Sequence, residues 1–264
     1  MSIALITGAS GGIGREFAKG LVRDYGVREL WLIARRREKL AELSDELSGL
    51  ATEVKTRIIT ADLGTSEGID AVRSALSEEK PQIEYLINSA GFGKFGRFDE
   101  VSEENVASMI DVNSKATVLL THMCVPYMPR GARIIQLGSG SCFTPLPNFN
   151  VYAASKAFVL HYTKALNYEL KKYGIRATCF CPGWVQTDFF DVADGSGVSG
   201  PEPKKIKPML NPEKVTRDCL KAAKRGKTMY VTGWYTRLQH VLFKILPDPI
   251  LTWVWLGMQK KADK

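Results

Sequence analysis

At 264 residues and 45% hydrophobic, the chain can bury one substantial core, and no apolar stretch in it reaches the roughly 18 residues of a membrane-spanning helix. Five cysteines, an odd number with no Cys-x2-Cys pair, argue against a disulfide framework and for reduced thiols in a cytoplasmic compartment. The net charge of +8 raises nucleic-acid binding, but no predicted helix carries an arginine-rich stripe interleaved with aromatics, and that class is set aside.

Ile3-Ala4-Leu5-Ile6 opens the chain as a short buried strand, so no secretory signal is expected. Thr7-Gly8-Ala9-Ser10-Gly11-Gly12-Ile13-Gly14 follows, and then a helical pattern begins. Strand, glycine-dense turn and helix in that order make the layout of a dinucleotide site. Backbone N–H groups at a helix N-terminus face the pyrophosphate, and residues without side chains let it approach. Further strands are predicted at 29–34, 55–60, 84–88, 132–138, 175–181 and 228–231. Helical patterns lie between them near 13–24, 37–49, 66–79, 103–124, 150–173 and 212–225. Runs such as Leu30-Trp31-Leu32-Ile33-Ala34 are apolar on both faces, as in a parallel strand covered on each side. The alternation predicts an α/β fold, a Rossmann-type doubly wound parallel sheet of about seven strands with helices on both faces. The nucleotide belongs at the carboxyl ends of the strands, near the switch in strand order. The whole chain, 1–264, reads as one domain without internal repeats. Residues 188–211, rich in glycine and proline, read as a substrate lid, and 234–258 as an apolar C-terminal extension.

Several short motifs follow the glycine turn in order. Asp62-Leu63 comes after Arg57-Ile58-Ile59-Thr60, and Asn88-Ser89-Ala90-Gly91 ends Tyr85-Leu86-Ile87. Asn113 lies in Asp111-Val112-Asn113, Ser139 follows Ile134-Ile135-Gln136-Leu137, and Tyr152-Ala153-Ala154-Ser155-Lys156 comes next. Pro182-Gly183-Trp184-Val185-Gln186-Thr187 completes the set. Together with Thr-Gly-x3-Gly-x-Gly at the start, these motifs resemble the short-chain dehydrogenase/reductase family over residues 3 to about 190. The ending, with an apolar tail around Leu246-Pro247, is loosely similar to the branch of long-chain 3-oxoacyl reductases and hydroxysteroid dehydrogenases.

The resemblance implies a catalytic set of Asn113, Ser139, Tyr152 and Lys156. Ser139 would bond the substrate oxygen, with Ser141 as the register alternative, Lys156 would also hold the nicotinamide ribose, and Asn113 would support a water relay to Lys156. It implies cofactor contacts at Gly8, Ser10, Gly12, Ile13, Gly14, Arg35, Asp62, Leu63, Asn88, Ala90, Gly91, Pro182, Gly183, Val185 and Thr187, besides Tyr152 and Lys156. Ser89, where the family has a second asparagine, is expected to loosen a hydrogen bond in its turn. Physical chemistry supports the centre of this set. Tyr152 and Lys156 are four apart, so they share a helix face, and an ammonium near a phenol is expected to lower the phenol's pKa. A second Tyr-x3-Lys, Tyr168 to Lys172, has no serine partner and reads as a solvated face.

The second predicted strand ends Ile33-Ala34-Arg35-Arg36-Arg37 with no acid for a ribose hydroxyl. Ala34 leaves room for a 2′-phosphate and Arg35 supplies a permanent charge, so NADP(H) is the expected cofactor. Cys142, Phe143, Pro145, Leu146, Phe149, Trp184, Phe189 and Phe190 flank the catalytic set and suit a bulky apolar ketone or alcohol. Cys179 and Cys181 read as buried fillers, and His122, His161 and His240 lack ligand spacing, so no metal is expected. The reading is therefore an NADP(H)-dependent oxidoreductase interconverting a secondary alcohol and its ketone. The alternatives are a non-catalytic nucleotide-binding regulatory or scaffold protein, or a reductase of small carbonyl compounds.

Residues 200–264 carry 14 Lys+Arg against 5 Asp+Glu, whereas 1–199 carry 22 against 23. That places the basic excess at the lid and tail. Trp234, Leu238, Val241, Leu242 and Ile245 recur at helical spacing, and Ile250 to Leu256 is apolar nearly all round. Such a tail needs cover from the substrate cleft, a subunit partner or a membrane surface. A homodimer or homotetramer, cytoplasmic with a possible peripheral membrane contact, is the expectation.

Overall fold

The computed structural model describes residues 2–189, 193 and 209–260. β1 (Ser2–Thr7), β2 (Glu29–Ala34), β3 (Lys55–Thr60), β4 (Gln82–Asn88), β5 (Arg133–Leu137), β6 (Arg176–Cys181) and β7 (Met229–Val231) form one sheet. Its order is β3-β2-β1-β4-β5-β6-β7, with every neighbouring pair parallel. This is the doubly wound sheet that the alternation of apolar runs and helical patterns predicts.

Period-two side chains sort each central strand between two layers. Ala4 and Ile6 of β1 face α1 (Gly12–Tyr25), α2 (Arg37–Leu50) and α7 (Pro212–Lys224), where Phe17, Leu21, Leu40, Leu43 and Leu220 are fully buried. Ile3 and Leu5 face α3 (Ser66–Glu79) and α5 (Thr117–Cys124), packing with Val72, Leu76 and Leu120. The predicted helix over 103–124 is interrupted. α4 (Glu103–Ile110) and α5 are joined by a π-helical stretch, Asp111–Ala116, which contains Asn113. α6 spans Asn150–Glu169 and tightens into a 3-10 turn over Leu170–Tyr173. Tyr168 on its outer face is 76% exposed, in keeping with a solvated second Tyr-x3-Lys.

The chain order reverses between β1 and β4, and one side chain ties the two strand ends together. Thr7 Oγ1 accepts from the backbone N–H of Ser89 and of Ala90, each at 3.1 Å. Ser89 Oγ donates to the Thr7 carbonyl at 2.5 Å. The serine that was expected to loosen this turn adds a bond to it, because its hydroxyl reaches across to β1. A second node lies below, where Thr121 Oγ1 accepts from Asn88 Nδ2 at 3.1 Å and from Gln136 Nε2 at 2.8 Å while donating to the Thr117 carbonyl.

Of the predicted lid, residues 190–192 and 194–208 lie outside the described residues. Its ends are tied where Leu210 N donates to the Trp184 carbonyl at 2.7 Å and Gln186 N to the Leu210 carbonyl at 3.0 Å. The tail forms α8 (Trp234–Ile245) and α9 (Asp248–Lys260). The periodic stripe on α8 is split: Trp234 is 71% and Ile245 72% exposed, whereas Leu238 and Leu242 edge the cavity described below and Thr236 on the opposite side is buried.

Thr121→Val removes an acceptor from two buried amide donors at once. An unmet buried donor costs about 1–3 kcal/mol, so urea unfolding should show a loss of roughly 2–6 kcal/mol for the two. A change within 0.5 kcal/mol (about the scatter of surface substitutions) would mean the node does not hold β4 to β5.

Candidate active site

At the carboxyl ends of β1, β2, β4, β5 and β6 lies a cavity of about 1020 Å³. Among its walls are Gly8, Ser10, Gly12, Ile13, Gly14, Arg35, Asp62, Leu63, Ala90, Gly91, Pro182, Gly183, Val185 and Thr187, together with Ser139, Tyr152 and Lys156. Two predicted site residues stand outside that lining. Asn88 is turned into the Thr121 node, and Asn113 sits one layer behind the wall.

One end of the cavity is built from backbone. α1 begins at Gly12 with no side-chain cap and no acid in its first turn, whereas Thr65, Ser102 and Asn211 cap α3, α4 and α7. Uncapped N–H groups at a helix start favour a negative charge. Asp62 holds its own turn through Gly64 N at 2.9 Å and leaves Oδ2 3.8 Å from Arg35 Nη1. Arg36 lines the cavity beside Arg35 and was not singled out from the sequence. A run of three arginines shows that charge is present, but not which guanidinium turns inward. These groups fit a dinucleotide bearing a phosphate on its ribose.

The other end carries the reactive side chains. Ser139 follows β5, its Oγ accepts from Ser141 N at 3.2 Å, and its hydroxyl lies near enough to the Tyr152 phenol to lower the phenol's pKa. Tyr152 is 8% exposed and stacks on Phe149 with ring centroids 4.4 Å apart, while Phe149 stacks on Phe95 at 4.1 Å. A Cβ at Gly93 would come within 2.8 Å of the Phe149 ring and 2.9 Å of the Tyr152 ring, so only glycine lets this stack form. Lys156, one helical turn on, donates to the Leu137 carbonyl at 2.8 Å and lies 5.6 Å from the centroid of the Tyr152 ring.

Asn113 braces this pair from behind. Its side chain exchanges two hydrogen bonds with the Phe92 backbone, at 3.0 and 2.9 Å, and donates to Ser155 Oγ at 3.0 Å. Ser155 Oγ in turn donates to the Tyr152 carbonyl at 2.7 Å. The network therefore runs from the π-helical stretch to the backbone of the tyrosine.

Burial sets the electrostatics. It pushes the Tyr152 phenol well above its ordinary range, and the Ser139 hydroxyl offsets only part of that. The expected lowering by Lys156 does not prevail, because desolvation of a phenolate is the larger effect in the protein alone. Burial pulls the Lys156 ammonium down to about 8.

The apolar wall differs in part from expectation. Leu146, Phe149, Trp184 and Phe189 line the cavity. Cys142 and Phe143 instead pack with Cys179, Cys181 and Val159 between α6 and β6, and Pro145 is exposed outside the wall. Phe190 lies outside the described residues. All five cysteines are free and buried. The tail supplies what the sequence left open, since Leu238, Leu242 and Leu246 near or on α8 and Leu251, Val254 and Trp255 on α9 complete the lining. Trp255 Nε1 donates to the Pro147 carbonyl at 2.8 Å, fixing α9 over the wall.

Lys156 allows a prediction on stability. Its folded value of about 8 lies below the 10.5 of a free lysine, so between those values the unfolded chain binds more protons and stability rises with pH. Below pH 8 the buried charge costs up to about 3 kcal/mol. Lys156→Met should raise Tm at pH 7, and the gain should shrink by pH 10.5. A Tm lowered at pH 7 would show the ammonium to be a stabilising group.

A family model described as short chain dehydrogenase matches residues 2–194. Sulfoacetaldehyde reductase 2 of Chromohalobacter salexigens is 36% identical over 197 residues, covering 73% of this chain and 76% of the relative. Inactive hydroxysteroid dehydrogenase-like protein 1 of Homo sapiens is 34% identical over 190 residues, covering 70% of this chain and 56% of that protein. Among solved structures, a short-chain dehydrogenase from Sphingobium yanoikuyae in complex with NADPH superposes with a TM-score of 0.79 at 27% identity, covering 91% and 92% of the two chains.

Proposed function

This chain belongs to the short-chain dehydrogenase/reductase family, and from that premise we propose that it is an NADP(H)-dependent reductase of bulky apolar ketones, reversible on the matching secondary alcohols. The observation that carries the reading is the convergence of Ser139, Tyr152 and Lys156 on the same cavity as the glycine turn and Arg35 and Arg36. The relative from Sphingobium yanoikuyae, solved with NADPH, supports the choice of cofactor.

When bound, the nicotinamide supplies a hydride to the carbonyl carbon. Tyr152 donates its phenolic proton to the carbonyl oxygen as general acid, and Ser139 holds that oxygen by a hydrogen bond. Lys156 keeps a cation behind the phenol and binds the ribose. Asn113 positions the pair through Ser155 and the Phe92 backbone. At the other end, Arg35 and Arg36 take the 2′-phosphate, and the uncapped start of α1 takes the pyrophosphate. Leu146, Phe149, Trp184 and the tail form an apolar cleft, in which Ser141 Oγ and Thr144 Oγ1, buried without partners among the described residues, meet a second polar group of the substrate. Buried free thiols suit a reducing compartment.

The competing reading is a nucleotide-binding protein without turnover, and one relative is named as inactive. Here Asn113, Ser139, Tyr152 and Lys156 are all present. A panel of 3-oxoacyl thioesters, oxo-steroids and small polar ketones with NADPH decides. Turnover of the bulky members supports the proposal, and turnover of small polar ketones alone, or of none, contradicts it. Tyr152→Phe should lose about 10² to 10⁴ in kcat with NADPH affinity kept, while Tyr168→Phe should change little. NADP(H) should exceed NAD(H) by at least about tenfold in kcat/KM, and Arg35→Asp should reverse the preference.

The raised phenol pKa adds a pH profile. Tyr152 stays protonated through the neutral range, so ketone reduction should be flat from pH 6 to 8. Alcohol oxidation needs the phenolate and should climb with pH over that range. Oxidation that is fastest at pH 6 would remove Tyr152 from the acid–base role.

A further inference from the structure

α8 and α9 are apolar on two sides. Leu251 and Trp255 turn inward to the cavity and are buried, while Trp253 on the opposite side of α9 is 76% exposed. α8 repeats the arrangement, with Trp234 and Ile245 outward at 71% and 72%. Val241 on α8 and Ile250 on α9 are exposed as well. Large apolar side chains left in water along two consecutive helices mark an interaction surface.

The chemistry of the patch selects its occupant. Two exposed tryptophans on amphipathic helices suit the headgroup level of a bilayer, where an indole has one apolar and one wet side. Arg237 and Lys244 are exposed along one flank of α8, which carries no acid. Asp248 is the acid in the first turn of α9. At 13 residues α9 is about 20 Å long, short of the roughly 30 Å hydrocarbon core. No helix among the described residues is long and apolar enough to cross a membrane. The pair is built to lie on a surface.

The cavity opens through this face. Leu238, Leu242, Leu246 and Val254 line the cavity and are also 36% to 48% exposed, so they form its rim. A second copy seated on the patch would close that mouth, whereas a lipid surface would leave it open to an apolar molecule arriving from the bilayer. This last step rests on the proposed reading of the cavity as a cleft for an apolar substrate. We propose that the outer face of α8 and α9 docks on an anionic membrane surface, with the mouth of the cavity facing the lipid.

Flotation of the full chain with vesicles of equal phosphatidylcholine and phosphatidylglycerol tests this, against vesicles of phosphatidylcholine alone. At least tenfold stronger partition into the anionic vesicles is expected, weakened by 0.5 M salt. The Trp234→Glu/Trp253→Glu double variant changes only exposed positions outside the cavity lining, and it should lose at least tenfold in partition with Tm unchanged. Absence of flotation, or equal partition into both vesicles, overturns the proposal. So does a halving of the particle mass of the double variant in light scattering, which would assign the patch to a second copy. Flotation reads neither turnover nor cofactor, so its failure leaves the catalytic reading standing and the reverse also holds.

Discussion

A fully buried ammonium with a single hydrogen-bonded carbonyl is the constraint around which this site is arranged. Lys156 is 2% exposed and, among the described residues, donates only to the Leu137 carbonyl at the end of β5. An ammonium taken out of water is costly unless it is paired, and its pKa falls to about 8 as a result. The surroundings are shaped to tolerate it. A Cβ at Gly91 would lie 2.7 Å from Asn113 Oδ1 and 3.2 Å from Lys156 Nζ, so glycine is needed where the turn after β4 passes the lysine. The π-helical stretch sets Asn113 at the depth where its amide reaches both Phe92 and Ser155, and local departures of this kind cluster at functional sites. Stability is given up at the point where a partner for the charge is to be bound.

The rest of the fold delivers groups to that point. Parallel strands end together on one side of the sheet, so the loops after β1, β2, β4, β5 and β6 meet in one cavity. The Thr7 hydroxyl fixes the loops after β1 and β4 against each other by accepting from both Ser89 and Ala90. Without that clamp the glycine turn and the Ala90-Gly91 turn would have no common reference. The Phe95, Phe149 and Tyr152 stack does the same for the phenol, holding the ring beside Ser139 on the cavity wall.

Much of this was legible in the chain. Strands apolar on both faces, the glycine turn before a helix, and a tyrosine and lysine four apart after a strand-end serine each state a local rule. What escaped depends on packing across the molecule. Helical periodicity over 103–124 cannot show one turn widened to a π-helix, because the apolar positions shift by less than a residue's width. Three consecutive arginines do not say which side chains turn inward, since the chain passes from β2 into α2 across them and Arg36 is the extended N-cap of α2. Spacing on α8 identified which residues share a face but not the direction of that face. Of the stripe, Trp234, Val241 and Ile245 point to solvent while Leu238 and Leu242 edge the cavity, and Thr236 and Phe243 on the other side meet the body of the protein or its cavity.

The account stands or falls on hydride transfer in this cavity. The direct measurement supplies NADPH carrying deuterium at both C4 positions, with a mixed set of aryl, steroid and 3-oxoacyl ketones, and reads the alcohols by mass spectrometry. One deuterium on the carbinol carbon of a bulky product is the predicted result. No labelled alcohol from any member of the set, with labelled NADPH bound and unconsumed, would contradict it.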